Sequence, residues 1–203
     1  MLADAGFPPR AIEGKISDNV TRVLRLDSST HAIKVISYEH SEVHSGGHFY
    51  INHSATSKND GETIVVYFKT PNTAKWLHLI MRWSSGGAAY AYIRETPTVT
   101  ANTGTNGQDV INNNRNSTTV SAVVDNATSP ATGKFCKDPT ITGAGTTIWQ
   151  DYSGAAKSDS GSGQRDQEII LKQNTAYNFI VESDAAGISL NLNLEWYSHE
   201  DKN

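Results

Sequence analysis

Four histidines fall within fourteen residues of the 203-residue chain: His40, His44, His48 and His53 in YEHSEVHSGGHFYINH, with Glu39 and Glu42 among them. Imidazole and carboxylate groups at this density are the material of a metal site. On a helix, His40 and His44 would share one face at i, i+4, the geometry zinc proteases use. The protease motif places Glu directly after its first His, and here Ser41 stands there. Gly46-Gly47 and the β-rich flanks argue against a helix through the whole segment. A cupin-like barrel needs a His-x-His pair that is absent, with His78 or His199 as the distant ligand. His40, His44 and His48 are therefore weak metal candidates. The simpler reading is that these imidazoles cap turns, pair with Glu39 and Glu42, or pack at a subunit contact. A pH-sensitive interface is a third reading, because His changes charge near neutrality.

Other nucleophiles are poorly placed. Cys136, the single cysteine, lies in GKFCKDP, where Lys134 and Lys137 could lower its pKa, but no base accompanies it in the sequence. An inert, half-buried thiol is the expectation. Ser45 sits in HSGG rather than G-x-S-x-G. SGSG at 160–163 lacks the Lys-Ser/Thr of a phosphate-binding loop. The sequence thus predicts no catalytic residues and no cofactor. The aromatics Trp76, Trp83, Tyr90, Tyr92, Trp149, Trp196 and Tyr197 offer either a sugar-stacking platform or core filling. Core is expected for most of them, and alternation turns Trp83 and Trp196 inward with their leucine neighbours.

These residues must be positioned by strands. Ser, Thr and Asn number 20, 20 and 16 and displace the helix formers of an α-protein. Ile188, Leu190, Leu192, Leu194 and Trp196 alternate strictly with polar residues, a period of two that only a strand converts into one apolar face. Similar runs occupy 31–37, 48–53, 63–69, 76–83, 88–94, 117–124, 146–152, 168–172 and 176–182, with 63–69, 76–83 and 88–94 read as a meander. No amphipathic helix stands out. Residues 101–117 and 153–167 read as loops. The prediction is an all-β, antiparallel β-sandwich, jelly-roll-like, with an extended N-terminal arm: arm 1–19, sandwich domain 20–203.

A net charge of −4 supplies no cationic excess for nucleic acid. One cysteine cannot form an internal disulfide. No apolar run of signal-peptide or membrane-span length is present, so a soluble protein made inside a cell is expected.

Five stretches, TRVLRLDSSTHAIKVISYEHSEVHSGGHFYI (21–51), TPNTAKWLHLIMRW (70–83), INNNRNS (111–117), SGSGQRDQEIILKQNTAYNFIVES (160–183) and LNLEWYSHEDKN (192–203), together resemble a group of small virion structural proteins of tailed bacteriophages. The resemblance covers most of 21–203, with 118–159 matching less well. It carries over no catalytic residues. It implies a non-enzymatic capsid decoration or cement protein, made in the bacterial cytoplasm and residing in the virion. Its partners would be the major capsid protein or other virion proteins, and it would itself be a homo-oligomer, a trimer at threefold positions foremost, without nucleic acid or membrane. The alternatives are a tail- or fibre-associated module binding host glycan through the aromatics and the 101–116 and 153–167 loops, and a metal enzyme built on His40, His44 and His48.

Overall fold

The computed structural model describes residues 13–15, 21–23, 38–154, 161–164 and 168–200. The chain divides into two compact units, Met1–His40 and Ser41–Asn203. In the first, β1 (Glu13–Lys15) pairs antiparallel with β2 (Thr21–Val23), so a described pairing spans the boundary expected between 19 and 20. The strand expected at 31–37 lies outside the described residues, as does most of the 1–19 arm.

A short helix, α1 (Tyr38–Ser45), follows β2 and precedes the remaining strands. It has no apolar stripe, which is why a periodicity reading passes over it. Gly46, at φ +78°, ends it in the left-handed conformation that glycine adopts most easily.

The strands are β3 (His48–Lys58), β4 (Thr63–Lys69), β5 (Lys75–Ser85), β6 (Ala89–Glu95), β7 (Thr98–Val99), β8 (Thr105–Asp109), β9 (Ile111–Asn112), β10 (Lys134–Lys137), β11 (Ile141–Gly143), β12 (Thr146–Ser153), β13 (Gly161–Gln164), β14 (Ile169–Leu171), β15 (Ala176–Ser183) and β16 (Ile188–Glu200). They form two antiparallel sheets. One, the β15 sheet, runs β12-β6-β15-β4-β10-β8, and the other, the β16 sheet, runs β13-β5-β16-β3-β9 with β14 also on β5. β7 and β11 make a separate two-stranded ribbon.

Eight of these strands, β3, β4, β5, β6, β12, β14, β15 and β16, carry the topology. Numbered one to eight, they are ordered 1-8-3-6 in one sheet and 2-7-4-5 in the other. That interleaving is the double Greek key of a jelly roll. It corrects the meander: β4 and β6 lie in the β15 sheet and β5 in the β16 sheet. The chain crosses between sheets at 70–74, where Thr70 Oγ1 donates to Lys172 O at 2.6 Å and Thr70 N to Thr175 O at 2.9 Å.

The 117–124 run is not a strand. Only Val124 bridges, to Lys69 and Thr132, while Val123 enters the core and Val120 points to solvent. The 101–117 and 153–167 segments, read as loops, contain β8, β9 and β13.

Period two determines which side chains enter the core. Leu77, Leu79, Met81 and Trp83 of β5 lie beside Leu190, Leu192, Leu194 and Trp196 of β16 on the inner face of one sheet, and Phe68 and Phe179 come from the other sheet. Phe68 meets Phe179 at 5.1 Å and crosses the interior to Trp196 at 5.5 Å, ring centre to ring centre. Trp83 Nε1 donates to Asp151 across one open side of the sandwich, and His53 Nε2 to Asp138 across the other.

Truncating a core side chain removes its transfer free energy and leaves a cavity. Leu192→Ala, at a fully buried position on the central strand β16, should lower unfolding stability by about 2–5 kcal/mol in urea titrations. Ser54→Ala on the exposed face of the adjacent β3 should change it by less than about 0.5 kcal/mol.

Candidate functional site

The four clustered histidines separate. His40 and His44 lie on α1, with His44 in its last turn. His48 begins β3, facing away from the core, and His53 faces inward on the same strand.

The Asn-rich run read as a loop explains the local order. Asn112 Nδ2 donates to Gly46 O at 2.9 Å and Thr119 O at 3.0 Å, Asn114 Nδ2 donates to His44 O, and Asn113 bonds the His48 ring at Nδ1. INNNRNS is thus a clasp that ties the end of α1 to the start of β3. Short amide side chains supply both donors and acceptors to backbone groups that no strand partner reaches.

His48 meets aromatic rings of its own sheet. On the outer face of the β16 sheet it stacks on Tyr197 at 6.4 Å, and Tyr197 stacks in turn on His78 at 5.0 Å and on His199 at 5.9 Å. His78 and His199 lie 4.2 Å apart. Register brings them together, since Tyr197 pairs with His48 on one side and His78 on the other. Glu168 anchors the stack, accepting from His78 Nδ1 at 3.0 Å and from Tyr197 Oη at 2.8 Å. His78 and His199, named from sequence as distant partners for the His cluster, therefore do join His48, but around a tyrosine. Among the described residues, no group of three or more His, Cys, Asp or Glu gathers where one metal ion could sit. The arrangement is one of stacked rings with a fixed carboxylate.

The carboxylate on the other side of the sandwich is Asp138. It accepts from His53 Nε2 at 2.8 Å and from Val65 N at 2.7 Å. Burial works to raise its pKa, but these bonds and the His53 and Lys58 charges outweigh it, holding the carboxyl below its ordinary range.

Cys136 is buried, and its thiol is pushed up to about 12, first by burial and then by the nearby Asp125 and Asp138 charges. This agrees with the inert thiol expected from sequence, and the two lysines that could have lowered its pKa are engaged elsewhere: Lys134 pairs with Asp109, and Lys137 lies over the Phe135 ring. Gly161–Gln164, covering most of SGSG, is strand β13 on the edge of β5 and not an anion-binding loop.

The aromatics divide. Trp83, Trp196 and Tyr197 are buried and Trp149 packs part-buried against the core, whereas Trp76, Tyr90 and Tyr92 are half-exposed. Sequence reading missed Tyr152, 49% exposed on the edge strand β12 and 4.5 Å from Tyr90. Its signal was the i, i+2 spacing with Gln150 in a strand whose apolar face is weak.

Comparison of the chain with known protein families, with curated proteins and with solved structures finds no match. No helix among the described residues is long and apolar enough to cross a membrane.

Two measurements check this geometry. Cys136 should resist a thiol reagent at pH 8 in the folded protein and react fully in denaturant, because it is buried and little of it is thiolate at that pH. Asp138→Ala strands the Val65 amide and the His53 ring, and should cost about 1–3 kcal/mol at pH 7. A carboxyl with a depressed folded pKa stabilises above its unfolded pKa and loses that contribution as pH falls through the folded value. The gap between wild type and variant in urea titrations should therefore narrow from pH 5 downwards.

Proposed function

We propose that the chain is a non-enzymatic structural protein of a tailed-bacteriophage virion, an oligomeric decoration or cement protein that binds the lattice of the major capsid protein. The observation that carries this reading is the 1-8-3-6 and 2-7-4-5 strand order, the double-sheet jelly roll found in viral capsid and lectin domains. The five sequence stretches that resemble phage virion proteins favour the same class, and fold alone would not select it. A sandwich locked by an inter-sheet core is a rigid module. Repeated at equivalent lattice points, it accumulates contact area that no single interface needs to supply. The net charge of −4 suits a protein that meets other proteins rather than nucleic acid.

In this reading the protein is a trimer in the virion. Light scattering on the purified chain should give three times the 203-residue mass at micromolar concentration, and the protein should co-sediment with expanded capsids of its phage. A monomer that leaves capsids unbound would rule the proposal out.

A further inference from the structure

We infer that the loops gathered around Asp125 form a binding site for a hard divalent cation, calcium, held by the Asp125 carboxylate and the side-chain carbonyl oxygens of Asn106 and Asn126. This goes beyond the capsid reading and does not depend on it.

Three segments far apart in the chain meet here. The turn after β7 supplies Thr100 and Thr103, β8 supplies Asn106 and Gly107, and the stretch before β10 supplies Asp125 and Asn126. Hydrogen bonds join them in a closed ring. Asp125 Oδ2 accepts from Gly107 N at 2.9 Å, and Asn106, the residue before, donates from Nδ2 to Thr103 O at 3.3 Å. Thr103 N and Oγ1 donate to Thr100 O, which also accepts from Asn126 Nδ2 at 3.0 Å. Asn126 follows Asp125 in the chain and closes the circuit.

Two acceptors on that ring lack donors. Asn126 is 7% exposed, and its Oδ1 is buried with no hydrogen-bond partner. The Oδ1 of Asn106 is buried and unpartnered as well. In both residues the amide nitrogen donates to a backbone carbonyl, and turning the amide over would press oxygen against oxygen. The unpartnered atom is therefore an acceptor in each case. Buried polar atoms are nearly always satisfied, so these two require a partner that brings positive charge or protons.

Asp125 decides which of the two it is. It is 4% exposed, and its carboxylate accepts only main-chain N–H groups, those of Gly107, Ala127 and Ala131, the last two at 3.3 and 3.4 Å. Among the described residues, no Lys, Arg or His forms an ion pair with it. Its charge is felt nearby, where it adds to burial in raising the Cys136 thiol. A water would satisfy the two carbonyls and leave that buried charge uncompensated, whereas a cation satisfies all three groups.

The donor set names the class of cation. All three groups are oxygens, which hard cations prefer, and no imidazole or thiolate belongs to the set. One carboxylate with amide carbonyls from separate segments suits the irregular shell of calcium better than the rigid octahedron of magnesium, with water completing the coordination. A single charged ligand places the affinity at about 10⁻⁴–10⁻³ M. The site escapes a reading of His, Cys, Asp and Glu clusters because two of its three groups are amides.

The test uses the full chain, freed of metal with a chelator and titrated with calcium chloride alone, by calorimetry and by thermal melting at constant ionic strength. Calcium should bind with a Kd of about 10⁻⁴–10⁻³ M, and about 10 mM should raise the Tm by about 3–10 °C, with a smaller shift for magnesium. Asn106→Ala removes one carbonyl and should weaken calcium binding about tenfold. Asn106→Asp sets a second carboxylate in the ring, against Thr103 O. It should melt below wild type in chelator and gain a larger shift from calcium. The inference is overturned if calcium gives neither heat nor a rise in Tm, which would assign the two carbonyls to ordered water. It is equally overturned if magnesium or sodium at equal ionic strength raises the Tm as much, or if both Asn106 variants respond to calcium as wild type does.

Discussion

Phe68 and Trp196 meet across the interior at 5.5 Å, one ring from each sheet, and the architecture depends on that contact. A single antiparallel sheet with one apolar face is unstable in water, so its leucines and aromatics require a second sheet to cover them. Phe49 and Phe179 extend the contact into a column of rings on β3, β16, β4 and β15. These are the inner strands of both sheets, and everything at the edges is positioned from them. Trp196 Nε1 is buried there without a partner, a desolvation cost that the surrounding apolar contact offsets.

With the core filled, the open sides of the sandwich need closing, and charged groups do it. Asp151 receives the Trp83 indole on one side, and Asp138 receives His53 on the other. At one end, Tyr177 accepts from Lys172 N and donates to Glu95, which also pairs with Lys172. Each closure joins groups far apart in sequence, so each contributes only after the sheets have come together. The outer faces then diverge in chemistry. One carries a part-buried stack of imidazoles on a tyrosine held by Glu168, and the other carries half-exposed tyrosines beside acids and an arginine.

Much of the sandwich was legible in the sequence. Residues 63–69 coincide with β4, and the alternations at 76–83, 146–152, 176–182 and 188–198 fall within β5, β12, β15 and β16. The inward placement of Trp83 and Trp196 followed from their leucine neighbours. The failures have physical causes. Val120 and Val123 look like strand residues, yet one is solvent-exposed and the other plugs the core, because no neighbouring strand pairs with that segment beyond Val124. α1 has no apolar periodicity to detect, and its end is held by asparagines about seventy positions away. The histidine cluster suggested a local site, but its members are distributed between a helix and both faces of a strand.

The sequence by itself determined that the chain forms strands and which face of each is apolar, because alternation is a property of adjacent residues. It also showed that Ser45 sits in HSGG rather than G-x-S-x-G, a property of adjacent residues. Only the tertiary structure decided which sheet each strand joins, and so turned an apparent meander into a jelly roll. It alone brought His48 to Tyr197 and His78, and Tyr90 to Tyr152. Those meetings depend on hydrogen-bond register between strands separated by tens to more than a hundred residues, and register is fixed by how two apolar faces pack, not by either strand alone.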